Sequence, residues 1–221
     1  MENRILLEKL EPAKSKRAVV IVGRFQPPTI GHYMLVNRAK KYIRENNHLD
    51  LFTKPIVVVV EGAISSQDKK KNPLSAKDRI YYMENSGKAN GVIFLTGKNA
   101  FDAFNEVRKA GYEPIVVGAG SDRVAGYLDM LNDRFLDGND KKQKHYALPG
   151  IEQRNELKSS KESLEKIKDA VVDVSKVSGS LARRAAELDY FDEFVSITGL
   201  EKNIPAAKKM FKQIKKAFGE Q

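Results

Sequence analysis

Five short β-branched runs recur along the chain: AVVIV (18–22), IVVVV (56–60), VIFL (92–95), IVVG (115–118) and AVVDV (170–174). Such runs lack the polar alternation of a strand with one wet face. They read as strands buried on both faces, the pattern of a parallel sheet. Helix-period stretches lie between them. HYMLVNRAKKYIREN (32–46) brings Met34, Leu35, Ala39, Tyr42 and Ile43 to one face. SAKDRIYYMENSG (75–87) opens on Ser75 as an N-cap and closes on Gly87 as a C-cap. NAFDAFNEVRKAG (99–111) follows the same style, and SDRVAGYLDMLNDRF (121–135) follows the fourth run. Alternation of this kind predicts an α/β fold: a doubly wound, Rossmann-like parallel sheet of about five strands with helices on both faces.

Two segments depart from the alternation. Residues 137–168 are polar and Lys-rich and read as a surface insertion in a domain spanning 18–200, after an N-terminal extension of 1–17. Residues 201–221 read as a basic amphipathic helix, with Met210, Phe211, Ile214 and Phe218 on one side and Lys208, Lys209, Lys212, Lys215 and Lys216 on the other. Such a helix can lie on a membrane or bind nucleic acid, and more commonly caps its own domain with its apolar face. The formal net charge is +10, which favours acidic partners. Cysteine is absent, so disulfides and thiolate metal sites are excluded and an intracellular setting is expected over secretion. The charged N-terminus does not read as a signal peptide, and no apolar run approaches the ~18 residues of a spanning helix.

Directly after the first run stands GRFQPPTIGH (23–32). In an open α/β sheet this position lies at the carboxyl edge, where ligands collect near helix N-termini. Free N–H groups and partial positive charge favour phosphate there. Gly23 and Gly31 admit close approach of the backbone, and Pro27 and Pro28 restrict the turn. Thr29, His32 and Arg24 add a hydroxyl, an imidazole and a fixed charge, with no evident nucleophile among them. Donors without a nucleophile suit phosphoryl or nucleotidyl transfer, in which positioning and charge stabilisation provide most of the catalysis.

GRFQPPTIGH resembles the signature of the HxGH/TxGH nucleotidyltransferase superfamily, with Thr29 at the position held by His or Thr, and its GRFQP, which includes Phe25, is similar to the nicotinamide-nucleotide adenylyltransferase branch. EGAISSQDKKKNPLSAKDR (61–79) is similar to the segment after that branch's second strand, on Asn72, Pro73, Leu74, Ser75 and Arg79. VSGSLARRAA (177–186) resembles the late (I/V)-S-x-(T/S)-x-x-R signature, on Ser178, Ser180 and Arg183. GSDRV (120–124) and the region 178–194 look like stand-alone members encoded by phages.

The resemblance implies transfer of a nucleotide from ATP to nicotinamide mononucleotide with release of pyrophosphate. It implies His32, Thr29 and Arg183 as catalytic residues, and Gly23, Arg24, Phe25, Gly31, Ser178 and Ser180 as nucleotide-binding. Asp122, Asn72 and Arg79 would bind the acceptor. Mg²⁺ would be held by phosphates, since no carboxylate cluster has ligand spacing. Members are often oligomeric, so a homo-oligomer is expected by analogy. The expected location is the cytoplasm, that of the host with possible virion association for a phage protein. The alternatives are CTP-dependent cytidylyl transfer, or a phage structural or nucleic-acid-associated protein that keeps the fold without turnover.

Overall fold

The computed structural model describes residues 16–46, 52, 54–62, 68–120, 122–134, 145–149, 158–168 and 176–219. Its elements run β1 (Lys16–Gly23), α1 (Ile30–Asn46), β2 (Ile56–Val60), α2 (Ala76–Asn85), β3 (Ile93–Gly97), α3 (Ala100–Lys109), β4 (Tyr112–Gly118), α4 (Val124–Arg134), β5 (Tyr146–Ala147), α5 (Lys161–Lys168), α6 (Gly179–Glu187), α7 (Phe191–Thr198) and α8 (Ile204–Ala217). The five strands form one sheet in the order β3-β2-β1-β4-β5, and every pairing is parallel. This is the expected α/β architecture.

Strand residues alternate between two cores. Val19, Ile21, Val57, Val59 and Val116 pack with Tyr33, Leu35, Val36 and Ala39 of α1 and Met83 of α2. Ala18, Val20, Val22, Ile56, Val58 and Val117 pack with Ala103, Phe104 and Val107 of α3 and Leu131 of α4. The buried stripe of α1 therefore runs through Tyr33 and Val36, while Met34, expected on it, is half-buried. Ser75 caps α2 in a full capping box with Asp78, and Gly87 beyond its end has φ of 68°. Asn99 caps α3 through the N–H of Asp102.

One expectation for the later chain is revised, and another, the strand read at AVVDV (170–174), lies outside the described residues. The strand beside β4 comes from within 137–168, the stretch read as an insertion. Val116 and Val117 pair with Tyr146 and Ala147, and His145 and Leu148 on either side are buried. Two paired residues in a Lys-rich stretch leave almost no periodic signal, which is why this strand was not legible.

The C-terminal helix is present, and its apolar face is consumed internally. Met210, Phe211 and Ile214 join Leu181, Ala185 and Phe194 in a third core, together with Tyr82 of α2. The Phe211 ring meets the edges of Phe191 at 5.2 Å and Phe194 at 5.1 Å. Among the described residues no helix is long and apolar enough to cross a membrane. Because this third core ties α6–α8 to α2, Ile214→Ala should cost about 2–5 kcal/mol. Urea denaturation should show that loss in one cooperative transition, and a separate early transition for the C-terminal helices would contradict the shared core.

Candidate functional site

The chain leaves β1 into α1 on one face of the sheet and leaves β4 into α4 on the other. Neighbouring parallel strands whose connections diverge in this way open a crevice at their carboxyl ends, where ligands of open α/β sheets bind. Residues 23–32 line its β1 side and Gly120 and Asp122 its β4 side.

His32 occupies the third position of α1, counted from Thr29 as the cap. Its Nδ1 accepts the backbone N–H of Thr29 at 2.9 Å, as an acidic side chain does in a capping box. The Thr29 hydroxyl lies 3.0 Å from the same nitrogen. An Nδ1 that accepts a backbone N–H leaves Nε2 as the protonated nitrogen of the neutral ring. The spacing of Thr29 and His32 thus fixes both ring orientation and tautomer. Thr29 was expected to face the ligand with its hydroxyl. It is only 1% exposed, and its hydroxyl is turned to the imidazole.

Phe25, expected among the nucleotide-binding residues, packs against His32. It is buried, it has φ of 52°, and its ring meets that of His32 at 4.9 Å and 70°. Gly23 makes room for it, since a Cβ there would stand 2.9 Å from the Phe25 ring.

Two long side chains tie this turn to the segment before α2. Gln26 donates from Nε2 to the carbonyl of Leu74 at 2.6 Å and accepts the Leu74 N–H at 3.3 Å. Arg79 was expected to bind the acceptor, but it is 2% exposed and built into the scaffold. Its guanidinium donates to the carbonyls of Arg24, of Val60 at 2.8 Å and of Ser75 at 3.1 Å, bolting the exits of β1 and β2 to the start of α2. Burial pushes its pKa down to about 10, the Glu61 carboxylate opposes that, and the charge of Arg24 adds to it.

The late motif is pressed onto the same turn. Ser178 caps α6 by accepting the N–H of Leu181 at 3.2 Å. Gly179 lies so near that a Cβ would sit 2.5 Å from the Gln26 carbonyl oxygen. Arg183 donates to that same carbonyl and to the Ser180 hydroxyl at 3.0 Å. Burial lowers its pKa, Arg24 lowers it further, and Asp68 opposes them. Arg24 is exposed. Arg24 thus lies close enough to act on both Arg79 and Arg183, a positive charge suited to phosphate.

Asp122 is exposed at the β4 side of the crevice and pairs with Arg123 at 3.4 Å. Asn72 is half-buried in the turn begun by Asp68, its N–H donating to the Asp68 carbonyl at 2.9 Å. The sequence reading passed over Gln26 and Gly179, which lock the two motifs together. Their signal was available only as company: a Gln beside Pro27 and a Gly after a capping Ser are ordinary by themselves.

Two expected outcomes follow from this packing. Arg79→Ala would strand three carbonyls and should lower the unfolding free energy by about 3–5 kcal/mol, with Arg79→Lys recovering little of it. Gly179→Ala raises helix propensity by about 1 kcal/mol, yet it should be net destabilising because its Cβ meets backbone. Urea titration of both checks these values, and a neutral or stabilising Gly179→Ala would contradict the close packing of α6 on the turn.

A search of curated proteins finds no match to the chain. The family model described as cytidylyltransferase-like matches residues 20–184, which span the β1 turn, the Arg79 bolt and the cap of α6. With that match over most of its length, the chain belongs to the cytidylyltransferase-like family, within the HxGH nucleotidyltransferase superfamily.

Proposed function

We propose that the protein transfers a nucleotide from a nucleoside triphosphate to a phosphate-bearing acceptor and releases pyrophosphate, with ATP and nicotinamide mononucleotide as the pair. Family membership supports nucleotidyl transfer in general. The observation that carries the reading is the His32 imidazole, held by Thr29 in the Nε2–H tautomer, on the turn that also carries Arg24 and receives Arg183 on its Gln26 carbonyl. An oxygen of the acceptor phosphate attacks the α-phosphorus in line, and the bond to the bridging oxygen of the β-phosphate breaks. Negative charge builds on the α-phosphate oxygens and on the departing pyrophosphate.

His32 donates from Nε2 to an α-phosphate oxygen. Arg24 and Arg183 bind the oxygens of the departing pyrophosphate, assisted by the O–H of Ser178 and Ser180 and the N–H groups that open α6. Gly23 and Gly31 let the backbone of the turn approach the nucleotide. Asp122 reaches the acceptor or ribose from the β4 side, and Asn72 shapes the loop beside the acceptor. Arg79 contributes only by holding the turn.

This donor set is cationic and holds phosphate rather than metal. Among the described residues no group of three or more His, Cys, Asp or Glu could hold an ion. Mg²⁺ would therefore enter on the triphosphate oxygens, where it neutralises charge. The family description favours one second reading, CTP with a phospho-alcohol acceptor.

Pyrophosphate release with ATP, CTP, GTP or UTP crossed against several phosphorylated acceptors decides between the two readings, and silence with every pair would contradict both. His32→Ala removes a preorganised donor worth about 2.7–4 kcal/mol, so turnover should fall roughly 10²–10³-fold with the fold intact. Thr29→Val keeps the backbone N–H to Nδ1 bond and should cost less. A Thr29→Val variant slower than His32→Ala would contradict the assignment of Thr29 as the supporting residue.

A further inference from the structure

The basic helix leaves a surface that nucleotidyl transfer does not use. Over Ile204–Ala217, α8 carries five lysines and no acidic residue. Lys215 is engaged with Asp189 at 2.8 Å, whereas Lys208, Lys209, Lys212 and Lys216 are exposed. Lys208, Lys212 and Lys216 follow one another at intervals of four residues, so they form a row with steps of about 6 Å along the helix. Beside that row lies α2. Its Tyr81 is 39% exposed, and Lys209 Nζ sits 4.7 Å from the centre of its ring. Lys77, also exposed, is one turn before Tyr81 on the same side of α2. Asp78 feels the charge of Lys209, but its carboxylate is already engaged by the Ser75 cap.

We propose that this face of α8 and α2 is a docking surface for single-stranded nucleic acid. A row of lysines follows a phosphodiester backbone, and an aromatic ring set among them gives a base something to stack on, which is the combination such proteins use. Lys209, on a flexible stem, can move from the Tyr81 ring to a phosphate and yield the ring to a base. A membrane surface does not fit. An interfacial helix must bury its apolar side in lipid, and here Met210, Phe211 and Ile214 are already buried in the protein. An acidic protein partner fits less well, because stable interfaces centre on buried apolar anchors. Among the described residues, the large apolar side chains exposed on these two helices are Tyr81 and Ile204.

The surface does not depend on the transfer reaction, and binding can be read without turnover. Fluorescence anisotropy of a labelled 20-nucleotide single strand, titrated with the full chain at several salt concentrations, gives affinity and salt slope together. Replacing Lys208, Lys212 and Lys216 with Gln should weaken binding by about tenfold or more and reduce the salt slope by about 2. The same number of charges removed elsewhere (Lys41, Arg44 and Lys166 to Gln) should change neither by more than a small fraction. Tyr81→Ala should weaken binding about fivefold or more with the slope unchanged. His32→Ala should bind as the native chain does.

Four results would overturn the proposal. One is equal loss from the two lysine sets, which would make the effect one of net charge. Another is full competition by inorganic polyphosphate with no response to Tyr81→Ala, which would leave only ion exchange. Tighter binding through the same lysines to phosphatidylserine vesicles would assign the face to membranes. Absence of binding at low salt would end the proposal outright.

Discussion

Arg79 gives its guanidinium to three backbone carbonyls, and much of the candidate site rests on that arrangement. The carbonyls belong to Arg24 at the exit of β1, Val60 at the end of β2 and Ser75 at the cap of α2. Strand exits are where a parallel sheet has backbone groups with no ladder partner. A buried arginine supplies several donors in a fixed fork and can satisfy them together. Gln26 repeats the device in neutral form on Leu74. With both in place the turn of residues 23–29 is held from below and from the side, and α6 can rest on the Gln26 carbonyl. Pinning the turn places a buried cation near Arg24, with the Glu61 carboxylate offsetting its charge.

The tautomer of His32 follows from the same local geometry. Helix N-termini have more N–H donors than acceptors, and a side chain at the third position is well placed to accept the cap residue's N–H. An imidazole there must present Nδ1 as the acceptor, so its other nitrogen becomes a donor. Two residues at fixed spacing thus convert an amphoteric ring into a directed donor. Thr29 in this arrangement contributes both a backbone group and a hydroxyl while staying out of contact with solvent.

Much of this was legible in the sequence because the runs at 18–22, 56–60, 92–95 and 115–118 are apolar on both faces, as central parallel strands must be. β1 to β4 correspond to them closely. The fifth strand was not legible, since Tyr146 and Ala147 sit in a polar stretch and pair over only two residues. The motifs of the site stood out as compositions, but the task of each residue depends on which side chains turn inward. Arg79 and Thr29 are ordinary ligand-binding types at ordinary ligand-binding positions. Only packing shows that the first reaches carbonyls and the second reaches an imidazole. Gln26 was invisible for the opposite reason, because nothing in its type suggests a partner forty-eight residues away.

The most direct test of the account is nitrogen NMR of the histidine side chains, a simple spectrum because the chain has three histidines. His32→Ala assigns the signal of interest. The neutral His32 ring should carry its proton on Nε2, and a non-hydrolysable nucleoside triphosphate should shift the Nε2 signal while Nδ1 stays bonded to Thr29. A ring protonated on Nδ1, or an Nε2 signal indifferent to every triphosphate, would contradict it.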